Sequence, residues 1–140
     1  MTILIDTNVV LDILLHRQPW YTSAAAIFGL SRQNLIKSYI SSSAITDIFY
    51  FVQKKYGKPT ARKAMKHLLH VFPPATVTDR NIYRALDLEW EDFEDAVQFT
   101  VGEELSVDYI VTRNVQDFSL SSIKIVMPEQ FLNETTDFKK

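Results

Sequence analysis

A chain of 140 residues, 46% hydrophobic and 12% aromatic, is long enough to bury one ordinary core and too short for two comfortable domains. It has no cysteine, which excludes disulfides and thiolate-held metals and suits a reducing cytosol. The formal charge of -2 gives no overall drive toward nucleic acid, so any such binding must come from local patches.

The first apolar segment, TILIDTNVVLDILL, is interrupted by Asp6 and Asp12 and has no basic leader. No other run approaches the about 18 apolar residues of a membrane span, so the expectation is a soluble, cytoplasmic protein.

In chain order, Thr2 to Ile5 is a β-branched run that predicts a strand. NVVLDILLH behind it, apolar at positions 10, 11, 14 and 15, predicts a helix. A second helix is expected over residues 21–34 and a brief strand over 38–40. Serines 41 to 43 offer an N-cap for a helix whose stripe is Ile45, Ile48, Phe49, Val52 and Tyr56. Gly57 stops it, and Pro59 suits the first turn of a helix over residues 60–70. FPPATVTD reads as a short strand or extended loop, after which Asp79 can cap a helix through Leu86. The segment DFEDAVQFTVGEEL reads as a helix, DYIVT as a strand, RNVQDF as a loop, IKIV as a last strand, and Pro128 opens a short helix. Alternating helices and strands predict a single-domain α/β/α sandwich with a mainly parallel sheet. The domain is expected over residues 1–132, and the polar segment 133–140 as a tail that frays.

The acids are unevenly placed. DLEWEDFED, from Asp87 to Asp95, holds six carboxylates in nine residues ahead of the apolar run AVQFTV. A helix dipole accounts for negative charge in a first turn. It does not account for the wider pattern. Sites in parallel sheets form at the carboxyl ends of strands, near the reversal of strand order. Asp6 ends the first strand, and Asn114 and Asp117 follow the strand DYIVT. Asp47 lies off the apolar stripe of its helix, and Asp92 and Asp95, three apart, stack near the start of theirs, with Phe93, Ala96, Val97, Thr100 and Val101 as its packing face. If Asp6, Asp47, Asp95 and Asp117 converge, their repulsion calls for a hard cation, and oxygen-only ligands select Mg²⁺ or Mn²⁺ over zinc. Such an ion suits phosphodiester hydrolysis.

LIDTNVVLD, the acid within SSSAITDIF, DFEDAV and YIVTRNVQDF, taken together and in this order, resemble the PIN domain. That is a fold of metal-dependent ribonucleases which includes the toxin subunits of VapBC-type toxin–antitoxin pairs. The resemblance spans Ile3 to about Met127. It implies that Asp6, Asp47, Asp95 and Asp117 are catalytic acids, with Asp6, Asp95 and Asp117 holding the metal. It further implies that Asp92 is a supporting carboxylate, that Thr112 and Asn114 position the loop, and that Asn8 orients Asp6. An antitoxin partner and a homodimer are implied in the same way. Two positions depart from the family pattern: Asp47 stands where Glu is usual, and Asn114 where Asp is frequent.

Each acid also has an ordinary explanation. Asp6 can cap the helix after it, Asp47 can be a solvated helix carboxylate, and TRNVQD can be only a turn. Asp87, Glu89, Glu91 and Glu94 read as surface charge, and Asp12 is left outside the metal set. From Lys54 to His67 the chain carries six Lys or Arg and no acid, with Lys58, Arg62 and Lys66 on one helical face. Such a stripe either tracks a phosphate backbone or is a solvated surface. Lys54, Lys55, Lys58, Arg62 and Arg113 are the candidate RNA contacts. His16, His67 and His70 show no ligand pairing.

The leading expectation is a Mg²⁺- or Mn²⁺-dependent endoribonuclease. The alternatives are a PIN-like RNA- or protein-binding module with a weakened site, and an aspartyl-phosphate phosphatase using Asp6 as nucleophile. The phosphatase is disfavoured because position 8 is Asn where a second acid would be needed.

Overall fold

The computed structural model describes residues 1–135. The strands are β1 (Thr2–Ile5), β2 (Lys37–Ser41), β3 (Pro74–Ala75), β4 (Tyr109–Val111) and β5 (Lys124–Val126), of which β1 and β4 are apolar runs. They make one sheet in the order β3-β2-β1-β4-β5, and all four pairings are parallel. The helices are α1 (Thr7–Leu14), α2 (Tyr21–Arg32), α3 (Ile45–Tyr56), α4 (Lys58–Val71), α5 (Asp79–Leu88), α6 (Phe93–Leu105) and α7 (Pro128–Glu134). The expected α/β architecture is the one observed.

Alternation along β1 divides the core. Ile3 and Ile5 join a cluster that includes Val9, Val10, Ile27, Ile48, Leu68 and Phe131, while Leu4 joins Phe99, Val101, Ile110 and Phe118 on the other face. Each fully buried aliphatic side chain contributes about 2 kcal/mol, so the central strand is held from both sides. Near its C-terminal end α6 packs tightly: a Cβ at Gly102 would stand 3.1 Å from Ile123 Cδ1 and 3.2 Å from Val107 Cγ2. Gly57, at φ 86°, makes the turn between α3 and α4 in a region that favours glycine.

Several local expectations need correction. Serines 41 to 43 do not cap α3; Ser42–Ala44 forms a 3₁₀ turn and Ala44 takes the cap position. Asp79 is the first residue of α5, and the cap is Thr78, whose backbone and hydroxyl bond Asn81 in a capping box. Asp92 is not on the face of α6 but is its N-cap, accepting from the Asp95 amide at 3.0 Å. Phe93 is 44% exposed rather than packed, whereas every residue from Asp95 to Gly102 is buried. RNVQDF contains a 3₁₀ turn, Val115–Phe118. Asn133 and Glu134, expected in the tail, continue α7, where Glu134 meets Lys124 at 2.6 Å. The rest of the expected tail, from residue 136, lies outside the described residues. Among the described residues no helix is long and apolar enough to cross a membrane.

Candidate active site

Strand order reverses between β1 and β4, the place where a parallel sheet opens a crevice at its carboxyl edge. Asp6 follows β1 there, and Thr112 follows β4. The Asp6 amide donates to the Val111 carbonyl at 3.0 Å, tying the two strand ends together. Asp6 is only 4% exposed, and both oxygens of its carboxylate accept hydrogen bonds. Oδ1 accepts from the Thr7 amide at 2.7 Å and from Gln98 Nε2 at 2.8 Å, and Oδ2 accepts from Thr112 Oγ1 at 2.7 Å. Thr112 Oγ1 in turn accepts from the Asn114 amide at 3.0 Å, which anchors the loop leading to Asp117. Three donors from three elements therefore set the orientation of one buried carboxylate.

Above Asp6 opens a cavity of about 260 Å³ whose lining includes Asp6, Asn8, Asp47, Asp92, Glu94, Asp95, Asn114 and Asp117. Four elements supply them: the start of α1, the first turn of α3, the start of α6 and the 3₁₀ turn after β4. The acids expected from the sequence, Asp6, Asp47, Asp92, Asp95 and Asp117, are thus gathered around one cavity, with Asn8 and Asn114 beside them. Thr112 lies beneath it, bonded to Asp6.

The crowding has electrostatic consequences. Burial, followed by the charges of Asp6, Asp92, Asp117 and Glu94, pushes the Asp95 carboxyl up to about 8. Glu94 is also raised, first by desolvation against the cavity wall and then by Asp47, Asp6 and Asp92, against a weak opposing bond from the Thr7 hydroxyl. The α6 dipole favours negative charge at these positions, yet for Asp95 desolvation and like charge outweigh it.

Two participants were not foreseen. Glu94, read as surface charge, lines the cavity. Gln98 is buried and holds Asp6; the signal for it was an amide in the otherwise apolar run AVQFTV. Asn8 does not orient Asp6, which takes its bonds from Thr7, Gln98 and Thr112. Arg113 is not presented to a phosphate: its guanidinium makes a two-pronged pair with Asp12 at 2.7 and 3.1 Å and lies 3.8 Å over the Trp20 ring. Asp12 is fully buried, and desolvation raises its carboxyl despite Arg113. Lys55 is likewise engaged, donating to the Leu15 carbonyl at 3.0 Å, the open C-terminal end of α1. Lys54, Lys58 and Arg62 are exposed and lie outside the cavity lining.

The donor set fits a hard divalent cation. It is all oxygen, and Asn8 Oδ1, a cavity residue's buried carbonyl, has no hydrogen-bond partner, as has Gln98 Oε1 behind it. Among the described residues no three acids close into a ready-made metal cage. They ring the cavity instead, and a hard ion that keeps several of its waters needs only one or two carboxylates directly.

A parallel sheet with a ring of acids at its switch point defines a carboxylate-site α/β domain. The family model of the PIN domain matches residues 2–116, and the chain belongs to that family. No curated protein matches it. Among solved structures it is similar to VapBC2 from Rickettsia felis bound to a DNA fragment from their promoter, at 16% identity and TM-score 0.66, covering 90% of this chain and 97% of that one. It is similar also to a toxin–antitoxin complex from Klebsiella pneumoniae, at 21% identity and TM-score 0.64, over 89% and 96% of the two chains. FitAcB from Neisseria gonorrhoeae matches at 16% identity and TM-score 0.64, over 91% and 98%. At these identities the likeness is one of fold.

Proposed function

We propose that the protein is a cytoplasmic, divalent-metal-dependent endoribonuclease and the toxin of a type II toxin–antitoxin pair. The observation that carries this reading is the buried Asp6, held by three donors beneath a ring of five further acids. Asp6, Asp95 and Asp117 would hold Mg²⁺ or Mn²⁺, with Asp47, Asp92, Asn8 and Asn114 around them. A bound cation of this kind supplies an activated water and shields the charge that builds on a phosphodiester.

The chain's own residues do the rest. Thr7, Gln98 and Thr112 keep both Asp6 oxygens in a fixed orientation, so no reorganisation is needed there when substrate arrives. Thr112, through the Asn114 amide, couples that orientation to the turn carrying Asp117. The ring of acids repels a bare phosphate strand, which makes binding depend on the cation. Lys54, Lys58 and Arg62, exposed on α3 and α4, are the phosphate contacts of this reading, which would add affinity without reading sequence.

An antitoxin partner is supported by two features. The Klebsiella pneumoniae relative in fold is a toxin–antitoxin complex. This chain also leaves an apolar groove of about 450 Å³ among α1 to α4, lined by Leu14, Phe28, Val52, Tyr56, Ala64 and Leu68, which suits the apolar face of a partner segment. A homodimer belongs to the same reading through the family resemblance. The second reading, a PIN-like binding module with a weakened site, is favoured by the short Asp47 arm and the open spacing of the acids.

The test is cleavage of a mixed RNA substrate by wild type and Asp6→Asn in Mg²⁺, Mn²⁺ and EDTA. Cleavage by wild type alone, with metal alone, is expected. RNA binding of equal strength in metal and chelator, without cleavage, would favour the binding module.

A further inference from the structure

Beside the acidic cavity lies a second, of about 380 Å³, lined by Trp90, Glu91, Gln116 and Leu120 and by Asp92 and Asp117, which line both. The two shared acids make this cavity contiguous with the first, so a group bound in one is next to a group bound in the other. Its size is in the range that encloses a small organic ligand.

Its apolar surface is anchored in the core on one side and open on the other. The Trp90 ring leans on Phe99 at 4.9 Å and meets Phe118 edge-on at 6.0 Å, so it cannot swing away, yet it is only partly buried. Leu120 is 74% exposed. A rigid aromatic wall next to an uncovered aliphatic side chain is a stacking site for a flat ring.

Its polar surface selects what that ring can be. Three carboxylates exclude a phosphate and favour hydrogen-bond donors. Asp92 already accepts from the Asp95 amide, and Asp117 belongs to the proposed metal-holding acids. Glu91 is exposed and has no hydrogen-bond or ion-pair partner among the described residues. Both of its oxygens are open. Of the four RNA bases only guanine presents two adjacent donors, N1–H and the N2 amine, on its Watson–Crick edge. Adenine and cytosine set a donor beside an acceptor, and uracil sets its single donor between two acceptors. The Gln116 amide can donate to the guanine O6.

We infer that this cavity takes one unpaired guanine of the RNA, stacked on Trp90 and Leu120 and donating to the Glu91 carboxylate. The protein thereby selects the nucleotide next to the cut. This rests on the ribonuclease reading for its biological sense, but base binding can be measured without cleavage.

The test titrates guanosine, adenosine, cytidine and uridine into the full chain and follows the Trp90 indole N–H resonance. Guanosine is expected to bind at least ~10-fold more tightly than the others, and Glu91→Gln to remove that preference, as a two-bond readout of one base requires. Glu91 is exposed and outside the catalytic acids, so the variant keeps the fold. In parallel, four RNAs differing in one base are cut by wild type and by Glu91→Gln in Mg²⁺. Faster cutting beside guanine, evened out in the variant, supports the inference. Guanosine binding without cleavage would support the cavity and count against the ribonuclease reading. Equal binding of all four nucleosides, or RNA cleavage indifferent to both base and Glu91→Gln, would overturn the cavity and leave the ribonuclease standing.

Discussion

Thr112 Oγ1 donates to Asp6 Oδ2 at 2.7 Å, joining two buried residues 106 apart in the chain. The bond exists because β1 and β4 are neighbours at the switch point, and it fixes the acid at the floor of the cavity. Thr112→Val keeps the shape and removes the donor. We expect cleavage and Mn²⁺ affinity to fall by about 10–100-fold, the usual effect of losing a group that orients a metal-site carboxylate. Thr112→Ser should retain most of both; a Val variant as active as wild type would refute the coupling.

Asp95 gives the stability a pH dependence of known sign. Its folded-state value of about 8 lies above the ordinary 3.8, so between these limits the folded chain holds a proton that the unfolded chain releases. In chelator, stability should fall as pH rises across that window, by on the order of 1 kcal/mol per pH unit from this group. Asp95→Asn should flatten the slope while abolishing cleavage. Adding Mg²⁺ should oppose it, because a cation needs the ionised form and displaces the proton. Melting temperatures in EDTA and in Mg²⁺ from pH 5 to 8 check all three statements.

The Asp12–Arg113 pair is structural, and breaking it leaves a charge without its partner. Asp12 is fully buried and Arg113 is mostly covered by Trp20 and Asp12. Asp12→Ala should cost ~3 kcal/mol in denaturant unfolding. Arg113→Lys should not preserve the wild-type stability, because an ammonium cannot make the two parallel bonds of the guanidinium.

The two departures from the family pattern can be reversed. Asp47 lies on the first turn of α3 and Asn114 at the start of the 3₁₀ turn, both lining the cavity. Asp47→Glu lengthens the arm by one methylene, and Asn114→Asp adds a ligand charge. Each should tighten Mn²⁺ binding, by about 10-fold for the added charge, with cleavage at least as fast as wild type. Isothermal titration with Mn²⁺ decides it, and no gain in affinity in either variant would show that these two positions do not act on the metal.

The order of strands and helices was legible because periodicity is local: TILI and YIVT are apolar runs, and the α3 stripe repeats at helical spacing. Caps were less so. Thr78 and Asp79 are both good cap residues, and the choice between them depended on Asn81, itself buried against Thr100 across the α5–α6 contact. Asp6, Asp47, Asp92, Asp95 and Asp117, all lining the cavity, were legible because each sits at or near an element boundary that the pattern marks.

Partnerships across the fold were not legible, because a linear pattern does not say which side chain fills which space. Arg113, beside the acids in sequence, turns away to the buried Asp12 on α1. Gln98, given no role in the sequence, holds Asp6. Glu94, one of six neighbouring carboxylates, entered the cavity because α6 begins at Phe93 with Asp92 as its cap, which sets the phase of the first turn. Chain chemistry therefore dictated a parallel α/β sandwich and an acidic carboxyl edge. Packing alone settled which donors and charges face one another there, since that depends on the relative position of elements that are distant in sequence and meet only in the folded core.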